Sequence, residues 1–154
     1  MTETVTTDRI EKSIQLKAPR SKVWSALTDS EKFGAWFGVK MAGPFRPHTP
    51  VHGRITIKGY EHIQGDWQIE EVQPETRFSY RWHPYAIDPT YDYSAEPMTL
   101  VEFTLADDGG GTRLTVVESG FDRIPIKRRA EAFQKNNGGW AAQMTNIERY
   151  VAAN

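Results

Sequence analysis

Hydrophobic residues in the last quarter of the chain recur at steps of three and four, the spacing of one face of an α-helix. This stripe consists of Ile126, Ala130, Phe133, Trp140, Met144, Ile147 and Val151. One step of the stripe falls on Asn137, which Gly138 and Gly139 follow. Each glycine within a helix costs about 1 kcal/mol relative to alanine, so packing or function must offset both. The pattern predicts a long helix over a pocket, with close backbone approach and one polar contact at its middle.

Before this helix, hydrophobic and polar residues alternate with the period of half-buried strands. The predicted strands, including one short extended segment, cover residues 10–17, 39–41, 51–60, 67–72, 78–82, 99–105 and 113–119. Two short helices are predicted after the first strand: Pro19 opens one, and Asp29 or Ser30 caps the other. Pro125 occupies the favoured first position of the long helix. A curved antiparallel sheet around that helix would bury its stripe and leave a cleft beneath its middle.

The segment 83–97 between two predicted strands contains three prolines and three tyrosines. Loops of this length inside a compact domain are usually functional or mobile. Tyr85, Tyr91 and Tyr93 could therefore close over the mouth of a pocket, or they could simply pack the loop against the domain. A cluster of cations, Arg123, Lys127, Arg128 and Arg129, surrounds the start of the long helix and indicates either an acidic partner or a solvated face.

The last two strands form a predicted hairpin with its turn near Gly109 and Gly110. In this register Phe103 lies opposite Val116, and Glu118 lies opposite Val101 and points inward. The alternative is that Glu118 is solvated at the open end of the sheet.

An inward Glu118 needs a partner, because burying an unpaired charge is costly. The candidates are Asn137, Tyr80 and a tyrosine of the long loop. Glu118 and Asn137 could orient a ligand, or Glu118 could act as a general base with a pKa raised by burial. Alternatively, Asn137 only satisfies backbone groups freed by a kink at the two glycines.

Length and composition set limits on the function. The 154 residues predict one domain, residues 1–154, with a flexible tail at 1–8. Nineteen lysines and arginines against 20 aspartates and glutamates leave no electrostatic footprint for nucleic acid. With no cysteine, no spacing typical of a histidine metal site and no glycine-rich phosphate loop, neither a metal nor a cofactor is expected. Without a long apolar run or a signal-peptide pattern, we expect a cytoplasmic protein with no membrane span.

The order of elements and several local motifs resemble the helix-grip fold, an α+β class, of the START-like (SRPBCC) superfamily. The branch related to the C-terminal domain of the heat-shock-protein-90 ATPase activator is the most similar. The motifs lie at Ala18-Pro19, 23–28, Trp36-Phe37, 65–74, 77–82, 111–116, 119–121 and Gly139-Trp140. The resemblance implies a hydrophobic cavity between the sheet and the terminal helix, in binding proteins, enzymes or co-chaperone modules.

These observations favour non-catalytic binding of a hydrophobic or aromatic small molecule. The predicted ligand contacts are Trp36, Phe37, Trp67, Tyr80, Trp82, Phe103, Glu118, Asn137, Trp140 and Met144. Two alternatives stay open: a protein-interaction module with a chaperone partner, and a cyclase- or hydrolase-type enzyme with Glu118 as its proton acceptor. A monomer or a weak homodimer is expected.

Overall fold

The computed structural model describes residues 8–154, so the predicted flexible tail lies outside the described residues except for Asp8. Within this part of the chain, the strands are β1 (Arg9–Leu16), β2 (Val39–Met41), β3 (Pro50–Ile55), β4 (Gln64–Gln73), β5 (Arg77–Trp82), β6 (Thr99–Asp108) and β7 (Gly111–Ser119). The helices are α1 (Arg20–Thr28), α2 (Ser30–Phe37) and α3 (Ile126–Ala153), with a short helical turn (Phe121–Arg123) before α3. The strands form one curved antiparallel sheet in the order β1-β7-β6-β5-β4-β3-β2, which confirms the predicted α+β helix-grip fold.

Local signals position the two short helices. Pro19 precedes α1, and the Asp29 carboxylate caps α2 by accepting hydrogen bonds from the backbone N–H groups of Glu31 and Lys32 at 3.0 and 3.1 Å. Asp29 is therefore the cap, not the alternative Ser30. Gly38 ends α2 at a φ of 89°, in the left-handed region that glycine adopts without strain.

The register of the β6–β7 hairpin is the predicted one. Phe103 pairs with Val116 and Val101 pairs with Glu118, across a turn at Gly109 and Gly110. Because side chains alternate between the two faces of a strand, this pairing directs Glu118 toward the concave face that α3 covers.

The third strand is shorter than predicted. Alternation continues to residue 60, but β3 ends at Ile55 because residues 56–63 turn back on themselves. The Tyr60 N–H donates to the Ile57 carbonyl at 2.9 Å, and Gly59 has a φ of 92°. Ile57 and Tyr60 are consequently exposed on a projecting turn rather than paired in the sheet.

The long helix buries its predicted stripe only in its second half. Trp140, Met144, Ile147 and Val151 are buried, whereas Ile126 is 79% exposed and Ala130 is exposed. The stripe prediction is wrong for these two residues because the inward face at the start of α3 passes through other positions: Arg128, which contacts the loop 83–98, and Ala132, which is fully buried. Within residues 8–154, no helix is both long and apolar enough to cross a membrane.

Candidate functional site

Glu118 is a fully buried carboxylate that accepts four side-chain hydrogen bonds. Its Oε1 accepts from Trp140 Nε1 at 2.8 Å and from Asn136 Nδ2 at 2.9 Å. Its Oε2 accepts from Thr99 Oγ1 at 2.6 Å and from Trp82 Nε1 at 2.7 Å. The inward orientation is therefore confirmed, and the solvated alternative is wrong.

The sheet register explains why these donors meet. Thr99 at the start of β6 pairs with Trp82 at the end of β5, beside the row that contains Glu118. Asn136 and Trp140 are four residues apart on α3, so they project from the same face of the helix. Glu118 thereby ties β5, β6 and β7 to the middle of α3.

The partners predicted for Glu118 are wrong. Asn136 donates the amide hydrogen bond instead of Asn137. Viewed along the helix axis, position 136 lies about 40° to one side of Trp140, and position 137 lies about 60° to the other side. Hydrophobic spacing alone therefore does not show which of the two asparagines faces Glu118. Tyr80 fails as a partner because Val101 lies between it and Glu118 in the sheet. The loop tyrosines make no hydrogen bond with Glu118 either, although Tyr91 bonds to Glu96.

Burial raises the pKa of Glu118 above its usual value, and the hydrogen bonds from Thr99, Trp82, Trp140 and Asn136 offset only part of this effect. A carboxylate offers about four acceptor positions, and four donors already occupy those of Glu118. The four hydrogen bonds therefore link the sheet to α3, and each acceptor position of Glu118 faces a donor of the protein.

The raised pKa predicts a defined pH dependence of stability. A folded-state pKa above the unfolded value, 4.5, contributes stability that is fully present below that value and is lost as pH rises through the folded pKa. Because glutamine does not titrate, wild type should lose unfolding free energy relative to Glu118→Gln as pH rises above 4.5. The slope is at most about 1.4 kcal/mol per pH unit. Urea unfolding of both proteins from about pH 4 to about pH 8 measures it, and a constant difference would contradict the raised pKa.

A wide cavity of about 830 Å³ lies between the turn 56–63, the loop 83–98 and the middle of α3. Seven of its 24 lining residues are aromatic: Phe37, Tyr60, Trp67, Trp82, Tyr85, Tyr91 and Tyr93. A narrow cavity of about 170 Å³ adjoins it and is lined by Phe37, Trp82, Asn136, Gly139, Trp140 and Gln143. Four residues line both cavities: Phe37, Trp82, Asn136 and Gly139. Both cavities reach the middle of α3 at Asn136 and Gly139, and the wide one extends toward the β3–β4 end of the sheet.

The predicted ligand contacts divide into two groups. Phe37, Trp67, Trp82 and Trp140 line the cavities. The others line neither cavity: Trp36, Tyr80, Phe103, Glu118, Asn137 and Met144. All of these except Asn137 are buried, because they pack in the core between the central strands and the helices α2 and α3.

Sequence reasoning missed several residues that line the cavities. Ile57 and Tyr60 lie within the predicted strand 51–60, so the prediction does not include the turn that carries them. Lys135, Asn136 and Gln143 are polar positions on α3, and their link to the cavity depends on which side of the helix faces the loop. The Gly138-Gly139 pair is the sequence feature that indicates this part of α3, and Gly139 lines both cavities.

One cation anchors the loop 83–98 to α3. Arg128 Nε donates to Glu96 Oε1 at 2.8 Å, and Arg128 Nη1 donates to the Pro84 carbonyl at 2.9 Å. The guanidinium also lies 4.8 Å from the centre of the Tyr93 ring. Burial by itself raises the pKa of Glu96, but hydrogen bonds from Arg128 and Tyr91 outweigh it and lower the pKa overall. This anchor, Arg128 with Glu96, holds the tyrosines of the loop against the wide cavity.

The described residues contain no group of three or more His, Asp or Glu side chains placed to hold a metal ion. His52 instead bridges Asp66 and Gln64, at 3.0 Å from Nδ1 and 2.9 Å from Nε2. These contacts raise the pKa of His52, with the Asp66 hydrogen bond as the largest cause.

Solved structures similar to this chain share its fold. Protein MLL2253 from Mesorhizobium loti is 25% identical with a TM-score of 0.74, and the match covers 94% of this chain and 97% of that one. The Aha1 dimer from Colwellia psychrerythraea is 16% identical with a TM-score of 0.69, over 93% and 95% of the chains. DynU16, a protein of the dynemicin biosynthetic locus, is 23% identical with a TM-score of 0.71 over 94% of this chain. This chain spans only 47% of DynU16.

No curated protein matches the chain. The sequence profile of the family described as "Activator of Hsp90 ATPase homolog 1-like protein" matches residues 17–152, nearly the whole chain. The fold and this match agree with the resemblance drawn from the motifs, and the chain belongs to the Activator of Hsp90 ATPase homolog 1-like family.

Proposed function

We propose that the protein binds a hydrophobic or aromatic small molecule in the wide and narrow cavities, without changing it chemically. The observation that carries this proposal is the wide cavity itself, at about 830 Å³ with seven aromatic residues in its lining. Pockets for small molecules typically measure about 300–1,000 Å³ and combine apolar walls with a few polar groups. Here the polar groups include Asn136 and Lys135 on α3.

Gly139 supports the proposal independently. A Cβ at this position would meet no atom within 4 Å, so no packing contact of the protein requires a glycine there. The glycine nevertheless costs the helix about 1 kcal/mol relative to alanine. Because Gly139 lines both cavities, close approach of a ligand to the helix backbone accounts for this cost.

The two alternatives have weaker support. Catalysis by Glu118 would need a free acceptor position facing a substrate, and four donors of the protein already occupy the carboxylate. A co-chaperone role rests on the description of the family. Four exposed hydrophobic residues, Ile57, Tyr60, Ile87 and Tyr91, surround the wide cavity, and a bound ligand accounts for them equally well.

Replacing Gly139 with leucine should abolish ligand binding without destabilising the fold. The new side chain would enter the space shared by both cavities, while helix propensity would add up to about 1 kcal/mol of stability. The measurement is the fluorescence of anilinonaphthalene sulfonate, a dye that brightens in apolar pockets, together with thermal unfolding. We expect the affinity for the dye to fall at least about tenfold.

Gly138→Leu is the matched control, because Gly138 is exposed, lines neither cavity and has equally open surroundings. It should gain the same helix propensity and keep the wild-type affinity. If both variants bind the dye as wild type does, or if wild type does not bind it, the proposed site is wrong.

A further inference from the structure

The orientation of the Asn136 amide follows from its neighbour. Asn136 Nδ2 donates to Glu118 Oε1 at 2.9 Å, so the NH₂ end of the amide faces the carboxyl group. The other end, Oδ1, makes no hydrogen bond within the described residues. Asn136 lines both cavities, so this acceptor belongs to the junction between them.

The other polar side chains around the narrow cavity are already occupied. The indole N–H groups of Trp82 and Trp140 both donate to Glu118. Gln143 donates to the Phe37 carbonyl at 2.9 Å and accepts from Asn146 at 3.1 Å. Among the side-chain nitrogen and oxygen atoms of this lining, Asn136 Oδ1 is therefore the one that makes no hydrogen bond within residues 8–154, and it is an acceptor.

The narrow cavity also limits the shape of what enters it. An apolar cavity of about 150 Å³ is large enough to bind benzene. The narrow cavity, at about 170 Å³, thus suits one aromatic ring against Gly139, with the remainder of a larger molecule in the wide cavity.

We propose that the ligand carries a hydroxyl or N–H donor on an aromatic ring, and that Asn136 Oδ1 accepts a hydrogen bond from it. This inference rests on the proposed function and adds the chemical class of the ligand. Phenol-, aniline- and indole-type rings meet the requirement. A ring that carries a carboxylate or an ether at this point is disfavoured, because two acceptors would face each other with no hydrogen between them.

The test compares β-naphthol with β-methylnaphthalene, which has nearly the same shape but no donor. Each compound displaces anilinonaphthalene sulfonate from wild type, from Asn136→Ala and from Asn137→Ala. The preference is the ratio of the affinity for β-naphthol to the affinity for β-methylnaphthalene. This ratio should be about tenfold larger in wild type than in Asn136→Ala, because the variant lacks the acceptor. Asn137→Ala is the matched control and should keep the wild-type preference, since Asn137 lines neither cavity.

The outcomes separate this inference from the proposed function. Equal preference in all three proteins overturns the role of Asn136, while displacement of the dye still supports an apolar site. Dye binding without displacement by either compound also overturns the inference. Failure of wild type to bind the dye overturns the proposed function instead. If Asn136→Ala does not fold, the wild-type measurement decides alone, and a methyl compound that binds as tightly as β-naphthol rejects the inference.

Discussion

Glu118→Ala should lower the free energy of unfolding by about 4 kcal/mol, a large share of the stability of a domain of this size. The substitution strands four buried or half-buried donors, on Trp82, Thr99, Asn136 and Trp140. Each buried donor without a partner costs about 1–3 kcal/mol, reduced where water or rearrangement supplies a new partner. Urea unfolding followed by circular dichroism measures the loss.

Glu102→Ala is the matched control for this prediction. Glu102 lies on the neighbouring strand and forms an ion pair with Arg77 on the opposite face of the sheet. Both side chains are partly exposed to solvent, so the replacement should cost about 1 kcal/mol. Similar losses for the two variants would show that the convergence of donors on Glu118 has no special importance.

Arg128→Ala should release the loop 83–98 from α3. The substitution leaves the Glu96 carboxylate, whose side chain is only 4% exposed, without its cation. Breaking such a buried pair costs about 3–5 kcal/mol, and the loop can avoid this cost by opening so that Glu96 reaches water. We therefore expect the largest change in local opening and only a smaller change in global stability.

Proteolysis and dye binding together measure this release. Cleavage within residues 83–98 under native conditions should accelerate at least about tenfold in Arg128→Ala, and the dye should dissociate faster. Lys127→Ala is the control, because Lys127 is an exposed neighbour on the same turn of α3. Unchanged cleavage in Arg128→Ala would mean that other contacts hold the loop.

The sequence predicts those features that depend on local period and register. Alternation and the turn at Gly109 and Gly110 place Glu118 opposite Val101 and on the inner face. The choice between Asn136 and Asn137 lies beyond such reasoning, because both positions are within about 60° of Trp140 around the helix.

Contacts between distant segments decide the remaining features. Arg128 and Glu96 are 32 positions apart, so nothing in their local spacing indicates that the acidic partner of the helix start is in the same chain. The predicted strand 51–60 extends into the turn 56–63, yet the hydrogen bonds of this turn end β3, and residues of the turn line the wide cavity. The wide cavity lies toward β3 and β4 because of this turn, which the sequence pattern does not predict.

The hydrogen bonds that Trp82 and Trp140 make with one carboxylate have a consequence for selectivity. Each indole is held at its N–H edge, so neither ring can swing aside to admit a wider molecule without giving up a buried contact. For the proposed ligand, rigid walls would reduce the entropy that is lost when side chains become ordered on binding. We therefore expect the site to select molecules by their shape and to adapt poorly to those that do not match.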